Sequence, residues 1–169
     1  MPDLQLSEFL PFRLNRLASE VSEDLADLYA LRFGIDIPQW RVLATLGAGR
    51  PITAQAIVAS TRTHKSTISR AVAALLRRGW VQRLPHDVDR RQRLLTLTAS
   101  GRAAYRQIVP LVLAYEAELL ARLPASERAA LDRGIAALER SLGLGHSARS
   151  NDPVDRVRDP RRRVEPLAG

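Results

Sequence analysis

Cysteine is absent from this sequence, and its only sulfur atom is in Met1. Disulfides, thiolate metal ligation and thiol-based redox sensing are thereby excluded. A reducing cytoplasm suits such a chain. No apolar run approaches the roughly 20 residues that span a bilayer, so no membrane partner is expected. The opening "MPDLQLSEFLPF" lacks the basic start and apolar core of a signal peptide. The three histidines, His64, His86 and His146, are scattered, with no acidic or cysteine partner at ligand spacing. No metal site and no cofactor are therefore expected. No Ser-His-Asp pattern is legible, and Glu116 and Glu118 point to different sides of a helix. "LGAG" is a helix end, because no lysine follows in phosphate-loop register. No residue is assigned to catalysis.

What is present is basic charge, concentrated in one place. The 169 residues carry a net charge of +8. Residues 1–59 hold five basic against seven acidic side chains, and residues 60–106 hold eleven against two. Residues 107–142 hold four against five, and residues 143–169 six against four. One segment therefore contains more than the whole excess. A charge serving solubility alone would be spread over the surface, whereas a local excess directs a field at an anionic partner. Nucleic acid is the leading candidate, ahead of an anionic membrane.

The hydrophobic pattern predicts a mostly helical chain. Leu10, Leu14, Leu17, Val21, Leu25 and Leu28 recur at helical spacing over residues 8–33. Pro11 fits only in the first turn, so that helix starts at 9 or 10, and Gly34 stops it. A second helix begins at Pro38, with Trp40, Val42, Leu43 and Leu46 facing inward. Thr53 caps a short third helix. "THKSTISRAVAALLRRGW" supplies a fourth, of about four turns, up to Gly79. The period then changes: "WVQRLP" and "RLLTLT" flank the charged tip "HDVDRRQ", which reads as a β-hairpin. Thr98 caps a helix running to about residue 122, which Pro110 should kink or split. A last helix carries Leu131, Ile135, Leu138 and Leu142 on one side, and from Gly143 the composition is that of a tail.

Short helix, tight connection, longer helix and hairpin is the order of a winged helix-turn-helix. In that geometry the second helix of the pair enters the major groove, and its first residues touch base edges. Lys65, Ser66, Thr67, Ser69 and Arg70 occupy the first two turns of that helix, and Ile68, Val72, Leu75 and Leu76 form its buried side. Arg70 can pair bidentately with guanine, while the hydroxyls suit bases or phosphates. Such a helix could be merely solvated, but the hairpin tip sets Arg90, Arg91 and Arg93 within four residues. Three crowded like charges gain little unless an anion neutralises them, and arginines in a wing suit a narrowed minor groove.

The stretches "FLPFRLNRLASEVSEDLADLYALRFGIDIPQWRVLATLG", "TRTHKSTISRAVAALLRRGWVQR" and "HDVDRRQRLLTLTASGR" resemble the MarR family of bacterial transcription regulators. The wing pattern Asp-x-Asp-Arg-Arg followed by Leu-x-Leu-Thr-x-x-Gly is the most specific part. The resemblance implies a triangular dimer that represses a nearby operon until a small phenolic or aromatic carboxylate weakens its hold on DNA. Lys65, Ser66, Thr67, Ser69 and Arg70 match the recognition helix, and Arg90, Arg91 and Arg93 the wing. His64 departs from the pattern, standing where relatives often carry a capping aspartate or serine.

The expected organisation is a dimerisation helix (residues 1–34), a winged helix-turn-helix (35–103), C-terminal dimerisation helices (104–144) and a basic Pro/Arg-rich tail (145–169). The apolar stripes on the first and last helices exceed what the central helices can cover, and a two-fold homodimer is the simplest remedy. Phe12, Arg13, Arg16 and Trp40 are candidates for an effector pocket, with apolar walls and a guanidinium to receive a carboxylate. The expected function is a cytoplasmic, ligand-responsive repressor bound to a pseudo-palindromic double-stranded operator. The alternative is a winged-helix architectural or protein-interaction module with no effector.

Overall fold

The computed structural model describes residues 3–85 and 92–144. The chain divides into two compact units, residues 1–118 and 119–169. In order, the elements are α1 (Leu10–Phe33), α2 (Ile37–Gly47), β1 (Ile52–Thr53), α3 (Ala54–Thr61), α4 (Lys65–Arg77), β2 (Val81–Pro85), β3 (Arg93–Leu97), α5 (Ala99–Ala121) and α6 (Ala125–Ser141). The architecture is mainly α with a small antiparallel sheet, as the sequence pattern predicts.

Local chemistry sets most of these boundaries. Pro11 sits in the first turn of α1, where its missing N–H has no intrahelical acceptor to lose. The helix ends at Gly34, whose left-handed backbone (φ 60°) lets its amide reach the Ala30 carbonyl at 2.8 Å. α2 begins at Ile37, one residue before the expected start at Pro38. The Asp36 carboxylate takes the Gln39 amide at 2.8 Å and fixes that earlier boundary. Thr53 caps α3 as expected, accepting from the Ala56 amide at 3.1 Å.

Two expectations are refined by the structure. α5 is a single helix from Ala99 to Ala121, so Pro110 does not split it. Pro110 is exposed, and water can serve the carbonyl its ring leaves without an amide. The expected two-stranded hairpin is also part of a three-stranded sheet of order β1-β3-β2. β2 pairs with β3 from Val81↔Leu97 to Pro85↔Arg93, while Ile52 pairs with Leu95 and Thr53 with Leu94. The added strand takes up backbone groups that the edge of β3 would otherwise leave unpaired.

The core of the first unit lies where α2, α3 and α4 meet the sheet. Val42, Leu43, Leu46, Ile57, Ile68 and Leu75 are at most 1% exposed, and Val72, Val81, Leu95 and Leu97 close the layer. Burying one such side chain contributes about 1.5–3 kcal/mol, which makes this cluster the main source of stability in the unit. Tyr29, Ile35 and Ile108 join it from the flanking segments. Only the C-terminal part of the α1 stripe takes part: Leu25 and Leu28 are half-buried, whereas Leu10, Leu14 and Leu17 are exposed. In the second unit, Leu131, Ile135, Leu138 and Leu142 of α6 are exposed as well.

The junction of β3 and α5 is held by close backbone approach. The Thr98 amide donates to the Trp80 carbonyl (3.0 Å), and the Thr98 hydroxyl donates to the Gly79 carbonyl (2.6 Å). The Ser100 hydroxyl reaches the same Gly79 oxygen at 2.9 Å, and the Gly101 amide donates to Thr98 Oγ1 at 3.0 Å. A Cβ at Gly101 would lie 1.9 Å from the Trp80 carbonyl oxygen, so only glycine fits there.

Candidate nucleic-acid interface

α3, α4 and the β2–β3 pair form the arrangement in which a helix is presented beside a hairpin. α4 is sharply two-sided. Ile68, Ala71, Val72 and Leu75 are buried, and this spacing of three and four residues places them on one face. Lys65, Ser66, Ser69 and Arg70 are exposed, and Thr67 is half-buried. The five positions expected to read DNA thus lie in the first two turns of a single helix, and four of them face solvent. Ser66, Arg70 and Arg77 follow one another at intervals of four and seven residues, so exposed Arg77 continues the outward face.

His64 occupies the N-cap position, and its side chain makes no capping hydrogen bond. The departure from a capping aspartate or serine therefore leaves the first-turn amides without a side-chain acceptor. The Thr67 amide donates to the His64 carbonyl at 3.0 Å, so the Lys65 and Ser66 amides, with the positive end of the helix dipole, suit an anion at that end.

Between α4 and the sheet lies a cleft of about 660 Å³. Val58, Ile68, Val72 and Leu95 form its apolar floor, and Lys65, Ser69, Arg83 and Arg93 line it where the chain is exposed. Among the described residues, no acidic side chain lines it. Side chains alternate along a strand, so Arg83 lies on the same face as buried Val81, and Arg93 on that of Leu95 and Leu97. The helix-facing side of the sheet thus changes from apolar to cationic as it leaves the core. Sequence reading included Lys65, Ser69 and Arg93 but missed Arg83. The available signal was an arginine in register with the apolar face of its strand. Arg90, Arg91 and His86 lie outside the described residues.

The four candidate effector residues separate into two places. Phe12, Arg13 and Arg16 line a hollow of about 400 Å³ on α1, together with Leu10, Leu14 and Leu17. Trp40 is not part of it. Its ring is stacked between Tyr29 (centroids 5.8 Å apart) and Tyr105 (6.1 Å). Burial pushes the Tyr29 phenol up to about 12, with Arg41 opposing the shift and Asp36 adding to it. Among the described residues, no group of three His, Cys, Asp or Glu is placed to hold a metal ion. Among the same residues, no helix is long and apolar enough to cross a membrane.

A recognition-type helix backed by an apolar core and flanked by a cationic sheet defines a winged helix-turn-helix protein. Comparison with known proteins specifies which kind. The model of the MarR family matches residues 33–92. The chain is 35% identical over 89 residues to YwoH of Bacillus subtilis (strain 168), an uncharacterized HTH-type transcriptional regulator. That alignment covers 53% of this chain and 64% of YwoH, a little under two thirds of the relative's length. The chain is 32% identical over 119 residues to the HTH-type transcriptional regulator MT0903.1 of Mycobacterium tuberculosis (strain CDC 1551 / Oshkosh), covering 67% of this chain and 83% of the relative. Among solved structures, the transcriptional repressor CouR bound to a 23-mer DNA duplex matches with a TM-score of 0.68 at 28% identity, covering 81% of this chain and 99% of CouR. The chain belongs to the MarR family: it is a DNA-binding transcriptional regulator, not an enzyme.

Proposed function

We propose that this regulator is a homodimeric repressor that reads a pseudo-palindromic operator with α4 and the wing and releases it on binding a small aromatic or phenolic acid. The observation that carries the reading is the outward face of α4. Arg70 stands exposed in its second turn, backed by buried Ala71 and Val72, so the guanidinium projects from a rigid base. Lys65, Ser66, Thr67 and Ser69 surround it with donors for bases and phosphates. Arg93, with Arg90 and Arg91 of the tip, supplies the wing contact. The similarity to CouR, a repressor solved on a DNA duplex, supports the direction of regulation.

The homodimer follows from apolar surface. α1 exposes Leu10, Phe12, Leu14 and Leu17, and α6 separately exposes Leu131, Ile135, Leu138 and Leu142. Single exposed leucines are unremarkable, but two such rows on one small chain call for a cover. The effector would rest against Phe12, with Arg13 and Arg16 receiving its carboxylate. Trp40, stacked between Tyr29 and Tyr105, stands apart from this hollow.

The test is affinity against salt for operator and scrambled duplexes, using Arg70→Ala and Arg91→Ala. Arg70→Ala should cost about 1–3 kcal/mol and relax preference at one base pair per half-site. Arg91→Ala should weaken binding to both duplexes evenly. A reversed pattern would mean that α4 is not the reading helix. Adding an aromatic carboxylate such as benzoate should lower operator affinity. DNA binding indifferent to sequence would favour an architectural module instead.

A further inference from the structure

We propose that Arg62, in the turn between α3 and α4, is a DNA-backbone contact whose guanidinium binds an operator phosphate beside the start of the reading helix. The proposal rests on α4 being that helix, and it adds a site to the reading above. Its origin is a backbone observation. Arg62 has φ 52° and ψ 29°, and among the described residues it is the one non-glycine with positive φ. In this left-handed region the Cβ of an L-residue crowds the neighbouring carbonyl. Glycine or asparagine takes the conformation at lower cost, and turns of this kind often contain glycine.

Among the described residues, Arg62 recovers nothing for this strain. It is exposed and makes no hydrogen bond, ion pair or ring contact among the described residues. The strain is nevertheless held in place from both sides. Thr61 Oγ1 donates to the Ile57 carbonyl at 2.8 Å, and Thr63 Oγ1 donates to the Thr61 carbonyl at 3.2 Å. Arg41 Nη1 then reaches Thr63 Oγ1 from α2 at 3.4 Å. A long cation with no partner among the described residues thus projects from a pinned turn, three residues before Lys65 and within the basic segment. Persistent strain of this kind concentrates where function requires it. A guanidinium fork suits a phosphate, and a phosphate contact fixes register without reading bases.

The experiment measures fluorescence anisotropy of the full chain on a duplex selected from a random library and on its scrambled counterpart, over a range of NaCl concentrations. The variants are Arg62→Asn, Arg62→Lys and, as a control, Arg70→Ala. Asparagine tolerates the left-handed turn but removes the charge, so Tm should equal or exceed that of the parent. Each lost contact should weaken binding about eightfold at 0.1 M salt, alike on both duplexes, and lower the log–log salt slope by about 0.9. Arg62→Lys should keep most of the slope. Unchanged affinity and slope in Arg62→Asn, with Arg70→Ala impaired on the selected duplex, would overturn the Arg62 contact alone. A fall in both Tm and binding that lysine does not rescue would also overturn it. Silence of both Arg62→Asn and Arg70→Ala would sink the reading of α4 together with the contact.

Discussion

Gly101→Ala sets two physical effects against each other, and the structure decides which should win. Gly101 is the third residue of α5, and an alanine in a helix is favoured over glycine by about 1 kcal/mol. The new Cβ, however, would fall 1.9 Å from the Trp80 oxygen, 2.7 Å from its carbonyl carbon and 3.0 Å from its Cα. All three are backbone atoms, so no side-chain rotation relieves the contact. The start of α5 would have to withdraw by more than about 1 Å to reach ordinary contact distance. That withdrawal strains three hydrogen bonds: Thr98 N–H to Trp80 O, Thr98 Oγ1 to Gly79 O and Ser100 Oγ to Gly79 O. At about 1 kcal/mol each their loss outweighs the helix gain, leaving a net destabilisation of about 2 kcal/mol. For a chain of this length, that lowers Tm by about 4–8 °C. Gly134→Ala in α6 is the matched control, because nothing lies within 4 Å of its added Cβ. It should raise stability by up to about 1 kcal/mol. Thermal unfolding followed by circular dichroism at 222 nm measures both. A Gly101→Ala protein as stable as its parent would refute the reasoning, since the junction would then relax freely.

Three further outcomes are expected. Tyr29 should ionise near pH 12, so Tyr29→Phe should remove an absorbance step at 295 nm centred there; because its folded-state value is raised, the protein should lose stability as pH climbs from about 10, where an unfolded tyrosine ionises, toward 12. Mild peroxide should leave operator binding intact, since no cysteine is available to oxidise, and a loss of binding reversed by a thiol reductant would contradict this. Light scattering at micromolar concentration should give the mass of a dimer with an interface above about 2,000 Å², whereas a folded monomer would rule out the covering proposed for α1 and α6.

Helical periodicity, caps and the placement of charge were legible in the residues themselves. Gly34 stops α1, Thr53 starts α3, and the spacing of Ile68, Val72 and Leu75 turns Lys65, Ser66, Ser69 and Arg70 outward. These are local effects, decided by neighbours within about one or two turns, so a linear pattern records them. β1 was not legible, because a two-residue strand has no period; it exists through the partner it finds on β3, some forty residues away in the chain. Trp40 reads as a pocket wall from its position on α2, yet its surroundings come from Tyr29 and Tyr105, on α1 and α5. Arg83 looks like any strand cation until the sheet is packed on α4, which puts it in the cleft with Lys65 and Arg93. The Thr-x-x-Gly at residues 98–101 was visible as a pattern, but its cause was not. Only the approach of the Trp80 carbonyl to the first turn of α5 requires glycine there. Sequence alone therefore determined the helices and the concentration of basic charge in residues 60–106. The tertiary structure decided which distant groups share a surface, because such proximity is set by packing and carries no sequence period.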